Sequence, residues 1–137
     1  MKNLKLMALI LAAGLAVSIG TKASAEVGYL NYQKVLDNYP AAQQAVKEID
    51  AKSLELQQYM VDKEKQYKAL DTPLKKQNFE DQTAREFKLK QDAYMRLKAS
   101  KEEQVYNKIQ AATKQVLVEQ KLDAIVDYRV IFVGGVD

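Results

Sequence analysis

Along the middle of the chain, apolar residues recur at alternating steps of four and three. The series runs Ala42, Val46, Ile49, Ser53, Leu56, Met60, Lys63, Tyr67, Leu70, with Ser53 and Lys63 as its two polar members. So narrow a stripe predicts a coiled-coil seam rather than the broader face of a globular helix. A seam demands a partner helix, and the later sequence supplies one with a clean seam at Val105, Ile109, Ala112 and Val116. Farther out on that second helix, Phe87, Tyr94 and Leu97 are apolar, but the spacing breaks down and Lys98 and Lys101 intrude. The distal part of the hairpin is therefore expected to bury less apolar surface per turn and to be more mobile than its base.

The punctuation agrees with long helices. No glycine stands between Gly28 and Gly134, and the two prolines, Pro40 and Pro73, fall where a helix can begin or turn. Tyr39-Pro40 should end a brief helical turn over Gln33 to Asp37, with Pro40 in the first turn of the long helix. For the tip, Lys75 and Lys76 suit a helix C-terminus, and Asn78 followed by Glu80 and Asp81 suits an N-terminus. Thr72-Pro73 is a rival break, with Thr72 as cap and Pro73 in the first helical position. The tip is placed within 71–79.

At both ends of this helical stretch the pattern becomes β-type. Val27 to Tyr32 is rich in β-branched and aromatic residues; Ala124-Ile125-Val126 and Val130 to Val133 read as two further short strands around a turn at Asp127 to Arg129. Three strands at most are too few to stand on a stalk this long, so copies of the chain are expected to add more. The fold class expected is mainly α with a small β body, a long antiparallel helical hairpin joined to short strands.

Residues 1–25 form a separate segment. Lys2 and Lys5 precede an apolar run from Leu6 to Ile19, and Ala23-Ser24-Ala25 follows, the layout of a secretory signal peptide cleaved after Ala25. As a helix that run would rise only about 21 Å, short of a hydrocarbon core of about 30 Å, which argues against an anchor. Loss of Lys2, Lys5 and Lys22 leaves 18 basic and 18 acidic residues in a mature chain of 112, which is formally neutral. The charge is uneven: Lys63 to Lys101 holds eleven Lys/Arg against six Asp/Glu. That excess would attract acidic partners or anionic lipid headgroups, although a solvated helix surface explains each residue taken singly.

The chain contains no cysteine and no histidine. Disulfides, the usual nitrogen and sulfur zinc ligands, and His- or Cys-based nucleophilic triads are thereby excluded. Gly134-Gly135 has no helix after it to receive a phosphate, and the carboxylates are interleaved with Lys and Arg along helices. No catalytic residue and no cofactor are expected, and nucleic acid is disfavoured by the neutral mature charge. Candidate contacts for a bound polypeptide are Lys63, Lys65, Lys68, Lys75 and Lys76 with the aromatic Phe79, Phe87 and Tyr94; Tyr59 and Tyr67 are of the same kind. Each aromatic ring alone is better explained by packing within the hairpin.

The order of elements resembles the Skp (OmpH-like) periplasmic chaperones. The more specific parts are the opening Val27-Gly28-Tyr29-Leu30-Asn31-Tyr32-Gln33-Lys34-Val35-Leu36 and the close Leu122 to Asp137, with the Pro-initiated hairpin between. The resemblance implies a homotrimer in which short strands build a small central barrel and hairpins project as tentacles around a cavity. Unfolded outer-membrane proteins would be held there without ATP, in the periplasm. Residues 27–36 and 122–137 would be the trimer body, with Val27, Tyr29, Leu30, Ile125, Val126, Val130, Ile131 and Phe132 as its strand residues, and 40–120 the tentacle. Two departures stand out. Lys121 occupies a place where the family usually has glycine, so the exit from the second helix is expected to differ. The family pattern normally continues past Val136-Asp137, so the sequence is expected to be a fragment or a shortened member. The competing class is a coiled-coil spacer or tether in the cell envelope that binds one fixed partner.

Overall fold

The computed structural model describes residues 15–17 and 26–130. In chain order the elements are β1 (Leu15–Val17), β2 (Val27–Leu30), α1 (Tyr32–Asn38), α2 (Pro40–Lys68), α3 (Pro73–Glu119), β3 (Ala124–Asp127) and a 3-10 turn at Tyr128–Val130. They fall into two compact units, Met1–Gln43 with Gln104–Asp137, and Gln44–Glu103.

The first unit holds the sheet, in the order β1-β2-β3. β2 and β3 are parallel, pairing Val27 with Ala124 and Leu30 with Asp127. A parallel pair requires a long crossover, and the intervening helices are that crossover. Two reciprocal bonds fix the register where the strands begin: Glu26 N–H donates to Asp123 Oδ2, and Asp123 N–H donates to the Glu26 carbonyl, both at 2.8 Å. β1 runs antiparallel along the other edge of β2. Apart from these three residues, the expected leader lies outside the described residues.

The third strand is therefore not the one expected. Val130 is in the 3-10 turn and 75% exposed, while Ile131, Phe132 and Val133 lie outside the described residues. The cause is local: the Asp127 carboxylate accepts from the Arg129 backbone N–H at 3.1 Å and from its Nη2 at 2.6 Å. An Asx-type turn of this kind bends the chain away from the ladder.

Capping explains the helix ends. Asn31 Oδ1 accepts from the Lys34 N–H at 3.0 Å and opens α1; extended Tyr39, as expected before a proline, closes it. At the end of α3, Lys121 adopts φ 55°, the left-handed region. The Leu122 N–H reaches the Leu117 carbonyl at 2.9 Å and the Lys121 N–H the Val118 carbonyl at 3.2 Å. This pair of bonds is a Schellman cap, which ordinarily places glycine where Lys121 stands. The backbone thus keeps the glycine-type exit without the glycine.

The core of this unit comprises Leu30, Val35, Tyr39, Ala42, Val105, Ile109, Ala112, Val116 and Leu122, all buried. It contains all four seam positions expected at the base of the return helix. Ile109, at 2% exposure, is the largest fully buried side chain among the described residues. Burial also pushes the Tyr39 hydroxyl above its ordinary pKa.

In the second unit the seam is shifted by one residue at alternate positions. Val46 and Met60 are 54% and 43% exposed, whereas Ala45 is buried and Tyr59 half-buried. Within the second unit the half-buried set on α2 is Glu48, Ile49, Lys52, Ser53, Leu56, Tyr59, Lys63 and Tyr67. Tyr59 displaces Met60 because its hydroxyl has a partner on α3, described below. The helix break occupies residues 69–72, so 73–79 of the expected tip window belongs to α3. Thr72 Oγ1 accepts from the Lys75 N–H at 3.3 Å and its carbonyl from the Lys76 N–H at 3.1 Å. Pro73 has no N–H to lose and its φ is preset for a first helical residue, which places the start there rather than at Asn78.

Candidate functional site

Within the second unit, α2 and α3 leave a groove of about 390 Å³ between them. Met60, Lys63 and Tyr67 line it from α2, and Phe79, Thr83 and Phe87 from α3. The rings of Tyr67 and Phe79 lie tilted with centroids 6.3 Å apart, inside the range where aromatic pairs attract. The Thr83 hydroxyl is buried and has no hydrogen-bond partner. The lining is otherwise apolar and aromatic, with carboxylates of Glu64 and Glu80 at its margin.

Beside the groove, Glu86 organises a charged cluster. The Tyr59 hydroxyl donates to Glu86 Oε2 at 2.7 Å, Gln82 Nε2 to Oε1 at 2.9 Å, and Lys63 Nζ stands 3.1 Å from Oε2. Those donors hold the Glu86 carboxyl down at about 2, the Tyr59 hydrogen bond contributing most. Desolvation, then the hydrogen bond to Glu86, pushes the Tyr59 hydroxyl up to about 12. Lys63 Nζ also lies 5.4 Å from the Tyr59 ring and 5.3 Å from the Phe79 ring. Lys90 covers Tyr59 at 5.0 Å, and Lys76 covers Tyr67 at 5.4 Å. Each contact is within cation–π range.

The lysines expected to face a bound chain are thus engaged to different degrees. Lys63 and Lys76 are half-buried against rings; Lys68 pairs with Glu64 at 2.6 Å and Lys75 with Asp71 at 2.8 Å, both exposed. Lys65 is exposed. Exposed pairs of this type contribute little to stability and exchange readily with other anions. Phe79 and Phe87 meet in the groove, whereas Tyr94, half-buried, does not line it. Lys101, an intruder in the expected seam, is neutralised across the helix pair by Glu48 at 2.5 Å, which keeps the Glu48 carboxyl below its ordinary pKa.

Aliphatic side chains were not singled out as contacts, yet they are what this unit leaves in solvent. Leu54 is 66%, Leu74 67%, Leu89 71% and Met95 55% exposed. Each stands off the four-three series, and that omission is the sequence signal for them. Among the described residues there is no group of three or more Asp/Glu placed to hold a metal ion, and no helix is long and apolar enough to cross a membrane. The arrangement can bind, through weak apolar and charged contacts.

Comparison with known proteins gives one family match: residues 26–137 fit the family model described as outer membrane protein (OmpH-like). No curated protein and no solved structure matches the chain.

Proposed function

This chain belongs to the OmpH-like outer membrane protein family, and on that premise we propose that it is an ATP-independent periplasmic holdase that keeps unfolded outer-membrane proteins from aggregating. The observation that carries the reading is the second unit: 60 residues on two helices, with Ala45 its only buried hydrophobic among the described residues. Such a surface offers leucines, a methionine, half-open rings and lysines together. None of these contacts is strong, and none selects a particular sequence, which is what a holder of many different unfolded chains requires.

The strand body is expected to assemble by pairing with further copies, because the sheet is too small to be stable alone, and the family resemblance implies that the assembly is a homotrimer. Three second units per assembly would then act on one client at once. Avidity of this kind exceeds single-site affinity by about 10² to 10⁴ without any new contact. Lysines along residues 63–76 would speed encounter with acidic stretches of a client, and anionic lipid headgroups are a secondary candidate for the same charges.

The chain lacks tryptophan, so binding is directly readable from client fluorescence. A urea-unfolded outer-membrane β-barrel protein containing tryptophan, diluted into the folded protein without nucleotide, should change its emission and saturate. A folded helical oligomer that leaves client emission untouched would overturn the reading.

A further inference from the structure

We propose that the groove between α2 and α3 in the second unit receives one aromatic side chain of the bound polypeptide, and receives it best when basic residues flank that side chain. The inference deepens the holdase reading above and rests on it for the source of the ring; the selectivity rests on the groove's own lining.

The lining sets what fits. A space of about 390 Å³ lies at the small end of ligand sites, which run about 300–1,000 Å³, so it takes one large side chain rather than a length of chain. Three rings, Tyr67, Phe79 and Phe87, border it together with the Met60 thioether. Tyr67 and Phe79 stand 6.3 Å apart and tilted by 44°. An added ring meets both faces and edges there, and aromatic pairs gain attraction beyond the area they bury. A thioether beside a ring adds to it. An aliphatic side chain of equal bulk gains the burial alone. The groove thus selects a type of side chain, not a sequence. Unfolded outer-membrane barrels supply many such rings, because these barrels carry aromatic girdles at both membrane interfaces.

Charges at the mouth decide the neighbours. Of the three charged residues that line the groove, Lys63 is spent on Glu86 at 3.1 Å and on the faces of Tyr59 and Phe79. Glu80 accepts from the Tyr67 hydroxyl, a bond that pushes this hydroxyl above its ordinary pKa, and an ionised carboxylate retains lone pairs for further donors. Glu64 is paired with Lys68 at 2.6 Å, with both side chains exposed, so a lysine or arginine of the client can exchange with Lys68 at little cost. The mouth therefore presents two carboxylates that welcome a cation and repel an acid. Lysines elsewhere on the arms collect acidic stretches, whereas the groove prefers a ring between basic residues.

The chain lacks tryptophan, so the probe is a capped peptide with one tryptophan between two lysines, whose emission reports burial of its own ring. Added to the folded full chain, it should shift to the blue and saturate. In competition at low ionic strength, a lysine-flanked phenylalanine peptide should displace it about fivefold better than a lysine-flanked leucine peptide. The same phenylalanine peptide should compete about threefold better than one flanked by glutamates. Ala84 is exposed yet lines the groove, so Ala84→Phe fills the space without disturbing the helix pair and should abolish the shift. Phe87→Leu keeps bulk and removes a ring, and should weaken the probe about threefold. Glu64→Gln combined with Glu80→Gln should erase the preference for lysine flanks and leave the preference for the ring. A shift that survives Ala84→Phe, or leucine competing as well as phenylalanine, would overturn the inference. Flanks that make no difference, or a flank preference that survives the double Gln variant, would overturn its electrostatic part. Aggregation of an unfolded barrel protein, followed in parallel, separates the two readings: suppression without a probe response removes this inference alone, and a probe response without suppression removes the holdase reading alone.

Discussion

Replacing Lys121 with glycine should stabilise the protein. Lys121 sits at φ 55° in the Schellman cap that carries α3 into β3, and an L-residue in the left-handed region costs about 1–2 kcal/mol. Glycine removes that cost but loses roughly 0.5–1 kcal/mol more backbone entropy on folding. The balance is a gain of about 0.5–1 kcal/mol. Lys121 is exposed, so no packing is lost with its side chain. With a urea slope of about 2 kcal/mol/M for a small protein, the midpoint of the helical circular dichroism transition should rise by about 0.3–0.5 M at unchanged slope. Lys121→Ala is the control, because alanine bears the same left-handed penalty as lysine and should leave the midpoint where it is. A Gly variant that unfolds earlier, or an Ala variant that gains as much as Gly, would refute the conformational argument.

Other perturbations have equally definite outcomes. Ile109→Ala, at the largest fully buried site, should cost about 2–5 kcal/mol, read as a lowered urea midpoint. Glu86 is held near 2 against an ordinary 4.5, so its contribution is complete above about pH 4.5 and is lost as pH falls toward 2; Tyr59, raised from 10 to about 12, contributes fully below pH 10 and loses that contribution as pH rises toward 12. Glu86→Gln should flatten the acid limb of a stability-against-pH curve, and an unchanged acid limb would contradict the cluster. Replacing Lys63, Lys65, Lys68, Lys75 and Lys76 with Gln should slow client capture roughly tenfold at low ionic strength, in stopped-flow fluorescence; unchanged rates there would exclude electrostatic steering.

Much of this was legible in the sequence because backbone rules fix it. Pro40 and Pro73 mark the starts of both long helices, and the Val105, Ile109, Ala112, Val116 seam is buried as its spacing requires. The seam on α2 was read one residue off at Val46 and Met60, since a four-three and a three-four series share every seventh position and differ only in which neighbour faces inward. That choice depends on tertiary partners: Tyr59 is drawn in by Glu86, which is 27 residues away. The tip window of 71–79 overlaps the break at 69–72, and of its two signals the Thr72-Pro73 break marks the helix start, because lysines and Asn78 are weak signals beside a proline that cannot donate. Of the last expected strand, Val130 to Val133, only Val130 is among the described residues, and it stands in the 3-10 turn. The strand's β-branched residues favour extension, but the Asp127 to Arg129 turn intervenes at Val130. β1 had no signal of its own, as an apolar leader run carries none for pairing. Of the candidate contacts, the groove joins Lys63, Phe79 and Phe87, a convergence visible only once the two helices are aligned.

The holdase reading is tested most directly by light scattering after a urea-unfolded outer-membrane β-barrel protein is diluted into buffer with and without the chain from Glu26 to Asp137, no nucleotide present. Suppressed scattering at substoichiometric to equimolar assembly is the predicted result. Unchanged scattering beside a protein that circular dichroism and sedimentation show to be a folded helical oligomer would contradict the account and make the chain an envelope spacer.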